Sequence, residues 1–135
     1  RSRDAVDAFA ADPELRGRVI PFPHASDEEL RTLYRHARAF VFPTFIEGFG
    51  IPPLEAIACG TPAICSDIPV IREVCGDAVR YVDPVSPDSI AREIRLVLLR
   101  EGTDVEGKGR KLLERFRRED IFRKYIDLFH ACVRS

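Results

Sequence analysis

Two carboxylates, Glu47 and Glu55, bracket the short run Gly48-Phe49-Gly50-Ile51-Pro52-Pro53-Leu54. The text around them reads as a strand, a glycine-bearing loop and a helix start, because Pro52 and Pro53 fit a helix only in its first turn. Such a junction presents unbonded backbone N–H groups and the positive end of a helix dipole, so it favours phosphate or another anion. Gly48 and Gly50 let that backbone come close to a ligand. A bare carboxylate beside a phosphate would repel it, so the work open to Glu47 and Glu55 is to accept hydrogen bonds from hydroxyls. Hydroxyls together with a diphosphate suggest a nucleotide sugar. An equally open account makes the glycines a plain turn and Glu55 a complement to the dipole.

The elements that must position this loop alternate between short apolar runs and helical patterns, the form of a βαβ arrangement with a parallel sheet. Arg18–Phe22 is the first strand expected. Ser26 with Glu29 three residues on forms a capping box, and Leu30, Leu33, Tyr34 and Ala37 follow at helical spacing. Ala39–Phe42 is apolar throughout, as a strand covered on both faces would be. A helix over Pro52–Cys59 ends at Gly60, a natural left-handed stop. Then come a strand over Pro62–Cys65, a short helix over Pro69–Val74 and a strand over Val79–Val82. The spacing predicts further helices over Ser86–Arg100, Val105–Arg117 and Glu119–Val133. About four strands are therefore visible, and Arg3–Leu15 reads as a helix preceding the first of them.

With 135 residues the chain holds one domain at most. Hydrophobic residues are 45% and charged residues 32%, which excludes disordered and fibrous classes. The net charge of −1 gives no support for nucleic acid as a partner. Residues 108–135 nevertheless carry nine basic and four acidic groups. The cluster Lys108, Arg110, Lys111, Arg115, Arg117 and Arg118 could face an anionic membrane as a peripheral contact, but its interleaved Glu114, Glu119 and Asp120 favour a solvated helix face. Cys59, Cys65, Cys75 and Cys132 have no paired spacing and read as reduced, buried thiols of a cytoplasmic protein. His24, His36 and His130 stand apart, so no metal is expected. No apolar run approaches the ~18 residues of a membrane span.

The run Glu47-Gly48-Phe49-Gly50-Ile51-Pro52-Pro53-Leu54-Glu55-Ala56-Ile57-Ala58-Cys59-Gly60-Thr61-Pro62 is followed by Ser66-Asp67-Ile68-Pro69, Arg72-Glu73-Val74, Gly76-Asp77-Ala78 and Asp83-Pro84. Together these resemble the signature of family-four retaining glycosyltransferases, and the resemblance extends from about Arg18 to Ile94. It implies a GT-B fold: two Rossmann-like domains, the C-terminal one binding the nucleotide-sugar donor and the N-terminal one the acceptor. Glu55 would then bind the ribose hydroxyls, and Glu47 would approach the transferred sugar as the catalytic candidate. The backbone of Gly48, Phe49, Gly50 and Ile51 would face the sugar and diphosphate, with Leu54 near the phosphates. Thr44 is a further candidate for donor contact, equally readable as a turn hydroxyl. His24 lies where the family's base pocket falls, though a lone loop histidine is more often solvated. No cofactor is implied, since helix N-termini and cationic side chains can stabilise a departing diphosphate without a metal.

The same resemblance implies that the chain, residues 1–135, is part of a C-terminal donor-binding domain. The family's first strand, a helix bearing an Arg/Lys pair and a second strand have no counterpart here. Those strands are central in the order 3-2-1-4-5-6, so Arg18–Phe22 would be left unpaired and sheet edges exposed. The acceptor, a sugar or lipid, would bind through the missing N-terminal domain, and the helix over residues 119–134 would return to pack on it. The carrier is GDP, UDP or ADP; the Ile51-Pro52-Pro53 variant resembles members that use GDP-mannose. Two other functions stay in view, a non-catalytic nucleotide-sugar-binding or regulatory module and a dinucleotide binder. The latter should show G-x-G-x-x-G after its first strand, which this chain lacks.

Overall fold

A computed structural model of the chain describes residues 9, 11–15, 17–22, 24–99 and 105–133. It comprises two units, Arg1–Leu30 and Arg31–Ser135. In the first, Asp12 Oδ1 accepts from the Glu14 N–H at 2.8 Å, and the Leu15 carbonyl accepts from Arg18 at 2.9 Å and Val19 at 3.2 Å. Arg18–Phe22 is thus turn and irregular chain, which corrects the first expected strand. The physical reason is that an apolar run becomes a parallel strand only beside another strand that takes its N–H and C=O groups. Most of the helix expected over Arg3–Leu15 lies outside the described residues; Phe9 and Ala11 are helical and 13–15 form a turn. The capping box is realised. The Ser26 N–H donates to Glu29 Oε2 at 2.9 Å and the Glu29 N–H to Ser26 Oγ at 3.3 Å, opening α1 (Asp27–His36).

The larger unit is built on three parallel strands in the order β1 (Phe40–Phe42), β2 (Ala63–Ser66), β3 (Arg80–Val82). Phe40 pairs with Ala63 and Ile64 with Arg80, fixing the register across the sheet. The sheet therefore has three strands among the described residues, not four. All four residues of β2 are buried, whereas β1 is half-buried and, among the described residues, pairs on one side only; Phe40 and Phe42 pack on one core layer and Val41 on the other, so its cover on both faces is present but partial. The connections are α2 (Ile51–Ala58) between β1 and β2, and α3 (Pro69–Cys75) between β2 and β3. After β3 come α4 (Pro87–Leu98), α5 (Val105–Glu114) and α6 (Arg118–Val133).

Alternation along β2 sorts the core into two layers. Ala63 and Cys65 face Ile57 of α2, Ile71 and Val74 of α3, and Leu112 of α5. Ile64 faces the opposite side, with Val82, Val97 and the partly buried Ile90 and Ile94 of α4. On that second side Arg80 donates to Glu93 Oε2 at 2.7 Å, tying β3 to α4 with side chains only 14% and 12% exposed. Burial raises the Cys65 thiol to about 12 and Cys75 to about 11, leaving both inert at neutral pH. Cys59 is half-buried and Cys132 exposed, so the reading of all four cysteines as buried holds only for Cys65 of β2 and Cys75 at the end of α3.

Candidate functional site

The site is the junction from β1 to α2. The chain leaves Phe42 through Pro43 and must reverse direction before α2 can pack on the sheet. Gly50 makes that reversal as the residue preceding α2, with φ 95° and ψ 43°, a conformation costly for any residue bearing a Cβ. A Cβ there would also stand 2.8 Å from Ile71 Cδ1, so the loop backbone lies directly on the core. Pro52 and Pro53 follow in the first turn and bring no N–H, which leaves Gly50 and Ile51 as the backbone donors of this helix end.

Glu47 occupies the loop's own donors. Its Oε1 accepts from the Gly48 N–H at 2.9 Å and from the Phe49 N–H at 3.3 Å. Those bonds, the Phe49 one first, hold its carboxyl below the ordinary carboxylate value. Two of the loop's N–H groups thus already have an anionic acceptor within the loop itself. Thr44 donates to the Ile46 carbonyl at 2.8 Å, which is the turn-hydroxyl role. Phe49 sets its ring edge-on against Phe116, with centroids 5.9 Å apart. Ile51 is exposed and Leu54 packs against the core.

Glu55 lies on the exposed surface of α2, one turn in from Ile51. The Tyr34 hydroxyl of α1 donates to its Oε2 at 3.4 Å. Tyr34 itself is 7% exposed; its ring meets Phe40 edge-on at 5.2 Å, and its carbonyl accepts a hydrogen bond from the Thr61 hydroxyl. Burial first, and then the charge of Glu55, push the phenol up to about 12, so it remains a donor throughout the physiological range. Sequence reasoning placed Tyr34 among the apolar positions of α1 and missed this contact. The signal was available, since a buried tyrosine needs a partner for its hydroxyl. Phe116 was missed likewise.

Gly48, Phe49, Gly50, Ile51, Leu54 and Glu55 thus share one helix end, with Glu47 bound back onto it. His24 is exposed and belongs to the smaller unit. Part of the longer motif is scaffolding. Asp67 accepts a forked pair from Arg72, the Nη2 bond at 2.7 Å, and the Arg72 guanidinium lies 4.4 Å from the centre of the Tyr81 ring. A cavity of about 320 Å³ lies at the opposite end of α2, lined by Ile57, Thr61, Gly109, Arg110 and Leu113. Among the described residues no group of three His, Cys, Asp or Glu side chains converges as a metal site would require. The six basic residues of the 108–118 cluster are exposed, and Lys108 pairs with Asp77 at 3.2 Å.

The family model described as "Glycosyl transferases group 1" matches residues 2–119. The chain belongs to this family. Among curated relatives of this glycosyltransferase chain, O-antigen chain mannosyltransferase B of Escherichia coli is 48% identical over 53% of the chain and 19% of its own length. The O-antigen chain mannosyltransferase RfbU of Salmonella typhimurium is 45% identical over 59% of the chain and 23% of its own. Among solved structures, a sucrose-phosphate synthase from Thermosynechococcus elongatus superimposes with a TM-score of 0.77 at 25% identity, over 96% of this chain and 35% of that one. The expected α/β glycosyltransferase fold is borne out. The chain spans about a fifth of the two mannosyltransferases and about a third of the synthase. Among the described residues no helix is long and apolar enough to cross a membrane.

Proposed function

We propose that this glycosyltransferase chain is the donor-binding part of a retaining enzyme that transfers a hexose from a nucleoside diphosphate, mannose from GDP-mannose being the first candidate. The single observation that carries the reading is the helix end itself: left-handed Gly50 gathers the 48–51 backbone and the Glu55 carboxylate at one place. A diphosphate fits the N–H groups, and a ribose diol fits the carboxylate. Mannosyl transfer is favoured by the names of the two O-antigen relatives.

On this reading Glu55 accepts from the ribose hydroxyls, and Gly48, Phe49, Gly50 and Ile51 line the diphosphate and sugar. Leu54 shapes the floor by its packing, and Thr44 acts through the turn it closes. Glu47 releases the N–H groups as the donor arrives and turns to the transferred sugar. The departing diphosphate is met by backbone N–H groups and cationic side chains without a metal ion. The acceptor, a sugar or lipid, binds through a further domain. The face of α6 bearing Ile121, Tyr125, Ile126 and Phe129, all exposed, packs on that domain.

Calorimetric titration of GDP, UDP, ADP and NAD into the full chain tests the reading, with Glu55→Ala alongside. One nucleoside diphosphate should bind and should weaken by about 1.5–3 kcal/mol in the variant, the worth of hydrogen bonds to a charged acceptor. Equal binding by wild type and variant would remove Glu55 from the site. NAD binding in preference to all three would point to a dinucleotide binder.

A further inference from the structure

We propose, resting on the donor-site reading above, that Tyr34 is a positioning residue that makes the site select ribose: its hydroxyl holds the Glu55 carboxylate in the orientation that receives the nucleotide's two ribose hydroxyls. A glutamate on an exposed helix surface samples several rotamers, and freezing them on binding costs affinity. Glu55 has one oxygen tethered. The tether is itself fixed by two contacts, the ring edge-on to Phe40 and the backbone carbonyl under the Thr61 hydroxyl, and by burial, since it is only 7% exposed. The phenol therefore has little freedom to release Glu55, and its contact with Oε2 is 3.4 Å.

The valence of the carboxylate allows this arrangement to serve a diol. An ionised carboxylate offers about four acceptor positions, and Tyr34 uses one of them. The remaining positions suffice for a 2′-hydroxyl and a 3′-hydroxyl at once. Tyr34 is a buried residue of α1 and Glu55 an exposed one of α2, so the proposed role asks no contact of Tyr34 with the nucleotide. Its effect should appear only through Glu55 and only on ligands that carry ribose hydroxyls.

Calorimetry on the full chain tests this with a ribonucleoside diphosphate that binds, its 2′,3′-dideoxy counterpart, and the variants Tyr34→Phe, Glu55→Ala and the double variant. Loss of one hydrogen bond predicts about 3- to 10-fold weaker binding of the ribonucleotide in Tyr34→Phe. It predicts no change for the dideoxy ligand, and no further loss when Tyr34→Phe is added to Glu55→Ala. Equal weakening of both ligands, or a Tyr34→Phe effect that persists in the Glu55→Ala background, would reduce Tyr34 to a packing role and overturn the proposal. Unchanged ribonucleotide binding in Tyr34→Phe, with Glu55→Ala still harmful, would overturn it while leaving the donor site standing. Failure of the wild-type chain to bind any nucleoside diphosphate would overturn both. Thermal melting of Tyr34→Phe separates global unfolding from these outcomes, and Tyr34→Leu, which also lacks the hydroxyl, should reproduce the ribose-dependent loss.

Discussion

Gly50→Ala should destabilise the chain through two effects that the structure keeps separate. The first is backbone strain, because φ 95° places an added Cβ against its own carbonyl neighbours at a cost of about 1–2 kcal/mol. The second is overlap: the new Cβ would stand 2.8 Å from Ile71 Cδ1, where carbon atoms prefer about 3.5–4.0 Å. Ile71 is fully buried, so its terminal methyl has little space to yield, and overpacking of this kind costs about 1–3 kcal/mol. Lower entropy of the unfolded alanine chain returns about 0.4–1 kcal/mol. The net loss is about 1–5 kcal/mol, centred on about 3, or roughly 12 °C in melting temperature at about 4 °C per kcal/mol. Gly48→Ala is the control, since nothing lies within 4 Å of its added Cβ and its φ is not left-handed; it should change stability by less than about 0.5 kcal/mol. Ile71→Val isolates the overlap, for it deletes the clashing methyl. Alone it should cost about 0.5–1.5 kcal/mol, but in the Gly50→Ala background it should cost less or restore stability. Urea and thermal melts of the wild type and the four variants provide the readout. Equal melting of Gly50→Ala and Gly48→Ala would refute both the strain and the contact.

Breaking the Arg80–Glu93 pair with Glu93→Ala should cost about 3 kcal/mol in urea melts, because it takes the carboxylate from a nearly buried guanidinium. Burial pushes the Glu93 carboxyl up, but Arg80 and Arg92 more than offset it and hold it below the ordinary carboxylate value. Its stabilisation is therefore complete above that value and is lost as pH falls through the depressed one, so the acid-side slope of stability should flatten in Glu93→Ala. Glu47 has the same sign: its bonds to Gly48 and Phe49 persist above the ordinary range and break as pH drops below it. The two amide resonances should follow that titration, and lose it in Glu47→Ala; a titration that survives the substitution would place the carboxylate elsewhere. Gly109→Ala sets a helix-propensity gain of about 1 kcal/mol against a Cβ 2.7 Å from Ile57 Cγ2. Ile57 is β-branched and 7% exposed, so overlap should win and the melt should fall by at least a few degrees.

What could be read in advance follows the range of the interactions concerned. The box of Ser26 and Glu29, the prolines at the head of α2 and the stop at Gly60 are local chemistry, and each fixes its element without help from the rest of the chain. Arg18–Phe22 shows the opposite case. Its apolar, β-branched text fits a strand, yet strandedness is a property of a pair, and the backbone of these residues turns onto Leu15 instead. β1 is the milder case: continuous apolarity says that a strand can be covered on both faces, and Phe40, Val41 and Phe42 do meet both core layers, but each stays half-buried.

The same distinction runs through the site. Glycine and glutamate types, with their spacing, identified a helix end suited to an anion, because that depends on residues adjacent in sequence. The bond from Tyr34 to Glu55 and the ring contact from Phe49 to Phe116 join residues far apart in the chain, so only the fold reveals them. Spacing also left the ground state of Glu47 open. The expectation set its carboxylate against the sugar, whereas its nearest partners are the very N–H groups expected to face the donor. These assignments conflict only if the site is static. A carboxylate bonded to the loop keeps the exposed Gly48 and Phe49 donors paired, and on the proposed reading it is a competing anion that an incoming diphosphate must displace. Binding and release of Glu47 are then one event. Glu47→Ala should accordingly tighten nucleoside diphosphate binding even as it removes the group proposed to meet the sugar. Weaker binding in that variant would mean instead that the carboxylate supports the loop in its donor-binding shape.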